Sequence, residues 1–398
     1  MSNNTQAALQ PGNIAGVDTR NRIIRSSTSE TLADDNGLIT DEYHDFHLRL
    51  ARNGVGLIFT GHCSVHPRGN YIRGMTALDR DDVIPRMKKL TDAIHAAGGK
   101  IFAQLNHAGS QSRDESIAPL APSVVGNPQF HRLPLAAATS EEIWEAIGAF
   151  GDAARRVREA GFDGVHVHAG HGYLLSEFLS PATNRREDEW GGSLENRQRL
   201  LVETYKSMRA AAGDDFPITN KIGLWDYVEN GLSVEEGRAT VALMDEHGVD
   251  AIELSAGLMS PLAESAARYV GVTRKRALQD KLLHRIFAAP VAEAYYRDEA
   301  RRHKANARGK TILVGGLRTV ELMNEVIADG STDFVSLARP LIREPDLVRK
   351  IEAGKTGMVD CVSCNICLMH EGSEPLKCWR ESNRDLAVHA LARIRGRV

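Results

Sequence analysis

The fold is indicated most clearly by residues Ala160–Arg197, AGFDGVHVHAGHGYLLSEFLSPATNRREDEWGGSLENR. They begin where a predicted helix ends, and the short β-prone run Gly164–His168 follows at once. A polar loop then leads through a turn at Gly191-Gly192 into a second predicted helix, Leu194–Ala212. A short buried strand between two helices is the repeating unit of parallel α/β proteins, so this region predicts that fold class.

The same alternation repeats along most of the chain. The predicted strands are Arg22–Ser27, Val55–Thr60, Lys100–Leu105, Gly164–His168, Ile218–Gly223, Ala251–Ser255, Thr311–Gly315 and Asp333–Leu337. The predicted helices are Glu42–Arg52, Asp82–Ala97, one from the capping box Thr139/Glu142 to about Ala160, Leu194–Ala212, one from the capping box Ser233/Glu236 to near Gly248, Val291–Ala305, Arg318–Ala328 and Glu344–Ala353. Eight strand–helix units predict a (β/α)₈ TIM barrel rather than a doubly wound sheet.

The chain of 398 residues is long enough for more than one domain, but no low-complexity linker divides it. We therefore expect one TIM barrel domain over residues 1–356 and a short Cys-bearing C-terminal extension over residues 357–398.

Composition and charge exclude several classes of protein. The chain carries 49 Lys+Arg against 52 Asp+Glu, which leaves neither a basic footprint for nucleic acid nor a polybasic membrane signal. No apolar stretch approaches the ~20 residues of a membrane helix. The first twenty residues lack the apolar core of a secretory signal. We therefore expect a cytoplasmic protein with a small-molecule substrate and no nucleic-acid or membrane partner; a homo-oligomer is compatible with the sequence.

Two imidazoles and a phenol follow the fourth predicted strand, which ends in His168-Ala169-Gly170-His171-Gly172-Tyr173. In a barrel the chemistry lies where strands end and the following loops begin. Histidine N–H groups can hold an oxygen that gains negative charge, and a phenol can donate a proton. Each residue could instead have a structural role, and a zinc site is a further alternative, although the loop offers no obvious third ligand.

Polar residues also end the third, fifth, seventh and eighth predicted strands. The Gln104 amide has both a donor and an acceptor, which suits the edge of a pyrimidine ring, and Lys221 can hold negative charge on a reduced cofactor. Gly315-Gly316 allows close backbone approach, and Arg339 can pair with a phosphate. Together they predict a phosphorylated heterocyclic cofactor.

These motifs resemble the old yellow enzyme family, the FMN-dependent NADH:flavin oxidoreductases. The resemblance runs from about Asn21 to Lys350. It is carried by Asn21–Ser26 (NRIIRS), Gln104–Gly109 (QLNHAG), Ala121–Ser123 (APS), Ala160–Arg197, Leu313–Thr319 (LVGGLRT) and Ala338–Pro345.

The resemblance implies a cofactor, a reaction and the residues that serve it. FMN would take a hydride from NADH or NADPH and reduce the activated C=C bond of an α,β-unsaturated carbonyl-type substrate, as in ene-reductases. His168 and His171 would hold the substrate oxygen, and Tyr173 would protonate the α-carbon. The implied cofactor-binding residues are Ser26, Ser27, Thr28, His62, Gln104, Lys221, Gly315, Gly316, Ala338 and Arg339.

The chain also departs from the family pattern. Lys221 stands where many relatives have Arg, which keeps the charge but loses the forked guanidinium. Ser29 stands in place of a residue that tunes the flavin, so the reduction potential is expected to differ. Glu30 and Thr31 replace apolar or aromatic pocket residues, so the substrate of the relatives does not carry over.

Four cysteines, Cys361, Cys364, Cys367 and Cys378, crowd into the C-terminal extension. They resemble the iron–sulfur segment of longer relatives, the 2,4-dienoyl-CoA reductases and trimethylamine dehydrogenases. Four thiolates could hold a [4Fe–4S] cluster or a zinc ion. The alternative is a set of partly buried thiols that bind no metal.

Three alternative functions stay open beside the ene-reductase. One is an FMN-dependent amine dehydrogenase or demethylase, and another is a dienoyl-CoA-reductase-like enzyme with an iron–sulfur cluster. The third is a zinc-binding barrel without flavin, which would have no use for Gln104, Lys221, Gly316 and Arg339.

Overall fold

A closed parallel barrel of eight strands forms the centre of the computed structural model. The structure describes residues 3–113, 117–126, 134, 136–258, 293–363, 367 and 374–380. The eight strands follow one another around the ring in chain order, and the ring closes where the last, Phe334–Leu337, pairs with the first, Ile23–Arg25. The predicted (β/α)₈ barrel is confirmed.

The strands and helices of the described chain have the following bounds. The strands are β1 Gly12–Ile14, β2 Val17–Thr19, β3 Ile23–Arg25, β4 Leu57–Ser64, β5 Ile101–Asn106, β6 Gly164–Ala169, β7 Ile218–Gly223, β8 Ala251–Ser255, β9 Lys310–Val314 and β10 Phe334–Leu337. The helices are α1 Asp41–Arg52, α2 Ile84–Ala96, α3 Ser140–Glu159, α4 Leu174–Leu179, α5 Leu194–Ala212, α6 Val234–Glu246, α7 Arg297–Lys304, α8 Val320–Ala328, α9 Arg339–Arg343 and α10 Leu347–Glu352. Single 3₁₀ turns or short 3₁₀ helices lie at Asn3–Leu9, Pro67–Gly69, Asp81–Val83 and Gly109–Gln111.

All eight predicted strands are present: Ile218–Gly223 and Ala251–Ser255 have the predicted bounds, and the other six have shifted ends. The largest shift is in β4, which continues to Ser64 instead of ending at Thr60. An irregularity in its pairing with β5, between Phe59 and His62, allows this extension, so His62 lies within the strand and not after it. The β1–β2 hairpin and the short helices α4 and α9 had no predicted counterpart. Residues 291 and 292 of the predicted helix Val291–Ala305 lie outside the described residues.

The two predicted capping boxes are confirmed and set where α3 and α6 begin. The Thr139 hydroxyl accepts a hydrogen bond from the Glu142 N–H at 3.2 Å, and the Glu142 carboxylate accepts one from the Thr139 N–H at 2.9 Å. Ser233 and Glu236 form the same reciprocal pair at the start of α6. Two N–H groups that the helix itself cannot satisfy are thereby paired at each start.

An apolar plug fills the amino-terminal half of the barrel interior. It joins Phe59 of β4, Phe102 of β5 and Phe334 of β10 to Ile14 of the hairpin, all of them buried. The hairpin therefore covers the amino-terminal end of the barrel. Polar side chains occupy the opposite end, where the strands point toward their following loops. Within the described part of the chain, no helix has the length and apolar character needed to cross a membrane.

One glycine allows a helix to approach the barrel, and its substitution gives a stability prediction. A Cβ atom at Gly237 of α6 would overlap the carbonyl oxygen of Leu224, just after β7. We expect Gly237→Ala to lower the free energy of unfolding by about 1–3 kcal/mol, because the helix must move outward. Gly148 of α3 is the matched control, since a Cβ there has no heavy atom within 4 Å. Gly148→Ala should be neutral or stabilise by up to about 1 kcal/mol. Urea unfolding measures both; equal stability of the two variants would contradict the prediction.

Candidate active site

The three predicted catalytic side chains meet at the carboxyl end of β6. His168 is on the strand, and His171 follows in a left-handed backbone conformation with φ of 56°. This turn brings the two imidazoles within 4.8 Å, centroid to centroid, at an angle of 84°. Tyr173 is the residue before α4, and its ring lies 5.0 Å from that of His168. Three residues that are close together in the sequence therefore form a compact site.

Neighbouring loops hold the unusual backbone of His171 in place. Its N–H donates to the carbonyl of Ala256 at 3.0 Å, and its own carbonyl accepts from the Gln111 side chain at 2.8 Å. Its Nε2 lies 2.8 Å from the Ser255 hydroxyl. These contacts fix the imidazole and offset the cost of the left-handed conformation.

The imidazoles of the site are neutral near pH 7. Burial lowers the pKa of His168 well below its usual value and lowers the pKa of His171 to about 3. The nearby Lys221 charge lowers the pKa of both further. A neutral imidazole still has one N–H donor. In addition, His168 Nδ1 is buried and has no hydrogen-bond partner among the described residues. The pair can therefore donate to an oxygen without acting as acids.

Two further rings complete what we call the aromatic cluster: His62, Tyr71, His168, His171 and Tyr173. The ring of His62 lies 5.2 Å from that of Tyr173, and the ring of Tyr71 lies 5.6 Å from each of them. Burial lowers the pKa of His62 to about 4. His62 was predicted from sequence to bind the cofactor, whereas Tyr71 was not predicted, because the loop after β4 brings Tyr71 to the site only through tertiary packing.

A cavity opens beside this site, between the ends of β3, β7, β9 and β10. Eight of the ten residues predicted to bind the cofactor line it: Ser26, Ser27, Thr28, Lys221, Gly315, Gly316, Ala338 and Arg339. Ser363 of the C-terminal extension also lines the cavity, and no sequence pattern indicated this. The cavity thus collects side chains and backbone from both halves of the barrel.

The cavity offers the features of a phosphate site at the ends of β9 and β10. Gly315 and Gly316 have φ of 100° and 73°, a conformation that glycine adopts without strain. A Cβ at Gly315 would lie 3.0 Å from the Tyr295 ring, so a larger residue would not fit easily. Backbone N–H groups at such a turn, with the Arg339 guanidinium nearby, suit a phosphate group.

Gln104 has one amide atom without a protein partner. Its Oε1 accepts from the Ser27 hydroxyl at 2.6 Å, but its buried Nε2 has no partner within the described residues. A buried donor without an acceptor is costly unless a ligand satisfies it. A carbonyl or ring nitrogen on a bound heterocycle would do so. The residues present therefore fit FMN: the phosphate features and Lys221 line the cavity, and Gln104 is joined to it through Ser27.

A buried carboxylate that the sequence analysis missed pairs with Lys221. Glu253 Oε2 lies 2.6 Å from Lys221 Nζ and 3.0 Å from His166 Nε2, and Glu253 Oε1 accepts from the Ser26 hydroxyl at 2.9 Å. Side chains alternate along a strand, so Glu253 of β8 lies on the same face as Ser255. This alternation could have indicated from sequence that Glu253 belongs to the site, and in the sheet Glu253 is the register partner of Lys221.

The C-terminal extension contacts the loop after β3. The Leu376 N–H donates to the carbonyl of Glu30, and the Thr31 hydroxyl donates to the carbonyl of Glu374, each at 3.0 Å. Cys364 lies outside the described residues. Within the described residues no group of three or more His, Cys, Asp or Glu side chains is placed to hold a metal ion. The iron–sulfur cluster at Cys361, Cys364, Cys367 and Cys378 therefore stays a prediction.

Comparisons with known proteins point the same way as the geometry. Residues 9–357 match the model of the NADH:flavin oxidoreductase / NADH oxidase family. A 4,4'-dithiodibutanoate disulfide reductase of Rhodococcus erythropolis is 31% identical, over 92% of this chain and 93% of its own length. An NADH oxidase of Thermoanaerobacter brockii is 33% identical over 89% of this chain, but the chain spans only 52% of that relative.

A solved structure supports the fold. An old yellow enzyme homologue from Zymomonas mobilis superposes with a TM-score of 0.73 at 22% identity, covering 90% of this chain and 96% of the other.

Proposed function

Because the chain belongs to the NADH:flavin oxidoreductase / NADH oxidase family, that of the old yellow enzymes, we propose that it is an FMN-dependent ene-reductase. It would use NADH or NADPH to reduce the activated C=C bond of α,β-unsaturated carbonyl-type substrates. One observation carries this proposal: two neutral imidazoles and a phenol meet beside a cavity suited to FMN.

Bound FMN would supply the hydride chemistry, taking a hydride from NADH or NADPH and giving one to the substrate. Within the chain, Gln104 and Lys221 would contact its pyrimidine edge, and the turn at Gly315-Gly316 with Arg339 would hold its phosphate. Ser26, Ser27, Thr28, His62 and Ala338 would complete the cofactor site.

His168 and His171 would donate hydrogen bonds to the carbonyl oxygen of the substrate. As a hydride adds to the β-carbon, the π electrons move toward that oxygen, and the N–H donors stabilise the enolate charge. Tyr173 would then give its phenolic proton to the α-carbon. The C=C bond is thereby replaced by two new C–H bonds and a C–C single bond. NAD(P)H is oxidised to NAD(P)⁺, and Tyr173 regains a proton from water.

The charges at the site favour a carbonyl substrate over an amine. None of the five members of the aromatic cluster is acidic, and the Arg113 guanidinium lies 4.8 Å from the centre of the Tyr71 ring. A substrate ammonium would meet the cationic Arg113 beside Tyr71 without a carboxylate from the cluster to pair with. An amine dehydrogenase is therefore the less favoured alternative. The dienoyl-CoA-reductase-like alternative depends on the four cysteines.

The proposal predicts the absorption spectrum of anaerobically purified protein. We expect the two bands of an oxidised flavin, bleached by NADPH or NADH and restored by 2-cyclohexenone. Two other compounds identify other reactions: 4,4'-dithiodibutanoate would restore the bands if the acceptor is a disulfide, and trimethylamine would bleach them without NAD(P)H if the donor is an amine.

Three outcomes of this experiment differ in meaning. A colourless protein that cannot be reconstituted with FMN contradicts the proposal altogether. A flavin that NAD(P)H reduces but no enone reoxidises contradicts the substrate class only. A broad brown absorption beneath the flavin bands would show that the cysteines bind iron and sulfur.

A further inference from the structure

The Glu253 carboxylate lies directly behind Lys221, on the side away from the cofactor cavity. The two residues are register partners on β7 and β8, and Lys221 lines the cavity while Glu253 does not. Their side chains are 3% and 0% exposed, and their charged atoms are 2.6 Å apart. The amine that faces the cavity is thus one end of a buried ion pair.

Two neutral donors complete the environment of this carboxylate. Ser26 donates to Oε1, and the Nε2–H of His166 lies against Oε2. Burial acts to raise the pKa of Glu253, but Lys221 and His166 outweigh it and hold that pKa below its usual range. Burial lowers the pKa of His166, so its imidazole is neutral. The network therefore contains one positive and one negative charge.

An ion pair acts on its surroundings differently from a lone cation. The carboxylate lies 2.6 Å from the amine, so it offsets part of the field of the amine at the cavity, and burial removes the solvent that would otherwise screen both charges. A lone Lys221 would favour the reduced flavin strongly, since reduced flavin carries negative charge on its pyrimidine ring. The paired Lys221 would favour it less.

We propose that Glu253 is a positioning residue that holds the Lys221 amine at the cavity and offsets part of its charge, so that the bound flavin has a lower reduction potential than Lys221 alone would give. The inference rests on the proposed function, because it requires that FMN bind in this cavity. Lys221 stands where many relatives have Arg. At this position the pair of Lys221 and Glu253, and not the lysine alone, would influence the reduction potential of the flavin.

The test is the midpoint potential of the bound flavin, measured spectrally against a reference dye. Glu253→Gln keeps the shape but removes the charge. It should raise the ratio of reduced to oxidised flavin about tenfold at a given potential, a shift of about 30 mV for a two-electron couple. Lys221→Met should shift the potential in the negative direction, and the double variant should return near the wild-type value. Asp245→Asn is the control, because Asp245 is a buried carboxylate on α6 that binds the backbone of Arg308 and Gly309.

Each outcome decides the question. A Glu253→Gln potential equal to that of wild type and Asp245→Asn overturns the proposal, even if the variant binds FMN more weakly, because a purely structural role would do that. If Glu253→Gln does not fold, Lys221→Met decides, and an unchanged potential there overturns the proposal. Wild-type protein that takes up no FMN contradicts the proposed function instead.

Discussion

Tyr173→Phe should slow the reduction of an enone by about 10²–10⁴-fold, the usual contribution of a positioned general acid. The rate at which NADPH reduces the bound flavin should stay close to that of wild type. The phenol lies beside the two imidazoles that would hold the substrate oxygen, and its ring centre is 5.0 Å from that of His168. Removing only the hydroxyl keeps this packing but leaves the α-carbon without a proton donor.

Stopped-flow absorption separates the two half-reactions. Tyr71→Phe is the matched control, because Tyr71 is a buried phenol of the same aromatic cluster whose hydroxyl accepts from Arg113 at 2.7 Å. It should slow enone reduction much less than Tyr173→Phe does. Equal loss in both half-reactions, or equal effects of the two tyrosine variants, would show that Tyr173 is not the proton donor.

Replacing both His168 and His171 by Ala should abolish the binding of a phenol above the flavin and slow enone reduction severely. One donor in an oxyanion-holding site is worth about 10²–10³-fold in rate. Because the two rings contact each other at 4.8 Å, the double variant should lose less than the product of the two single effects. His95→Ala is the control, since His95 is on the outer helix α2 and pairs with Asp163.

The pH dependence of phenol binding follows from the histidine pKa values. With the pKa of His171 at about 3 and that of His62 at about 4, these imidazoles stay neutral from about pH 5 upward. Phenol binding should therefore not weaken as the pH rises through about 6.5, the ordinary pKa of histidine. It should strengthen as pH approaches the pKa of the phenol itself, because N–H donors hold a phenolate more tightly. Spectral titration measures this; binding that is lost between about pH 6 and pH 7 would indicate charged imidazoles instead.

The barrel could be predicted from sequence because each strand–helix unit has its own local signals. The boxes at Thr139 and Ser233 mark helix starts through contacts only three residues apart. His168, His171 and Tyr173 could be predicted together for the same reason, since one strand end carries all three. Sequence motifs therefore predicted those parts of the structure in which the contacting residues are close together in the chain.

The residues that sequence missed are joined to the site by long-range contacts. Glu253 meets Ser26 across more than two hundred residues of chain, and Tyr71 reaches Tyr173 across about a hundred. The misplaced end of β4 has a different cause. A Cβ atom at Gly61 would lie only 2.7 Å from the carbonyl oxygen of Thr28. The absence of a side chain at Gly61 therefore lets the irregular strand pass beside the loop after β3. Strand propensity does not predict such a close approach between two segments of backbone.

Closure of the barrel between β10 and β3 also constrains the order of events during synthesis. The strand with His168 leaves the ribosome long before Phe334–Leu337, the strand that completes the ring. Ser363, which lines the cofactor cavity, follows later still. A nascent chain therefore carries His168, His171 and Tyr173 before it has a finished cavity, so we expect cofactor capture to be one of the last steps of biogenesis.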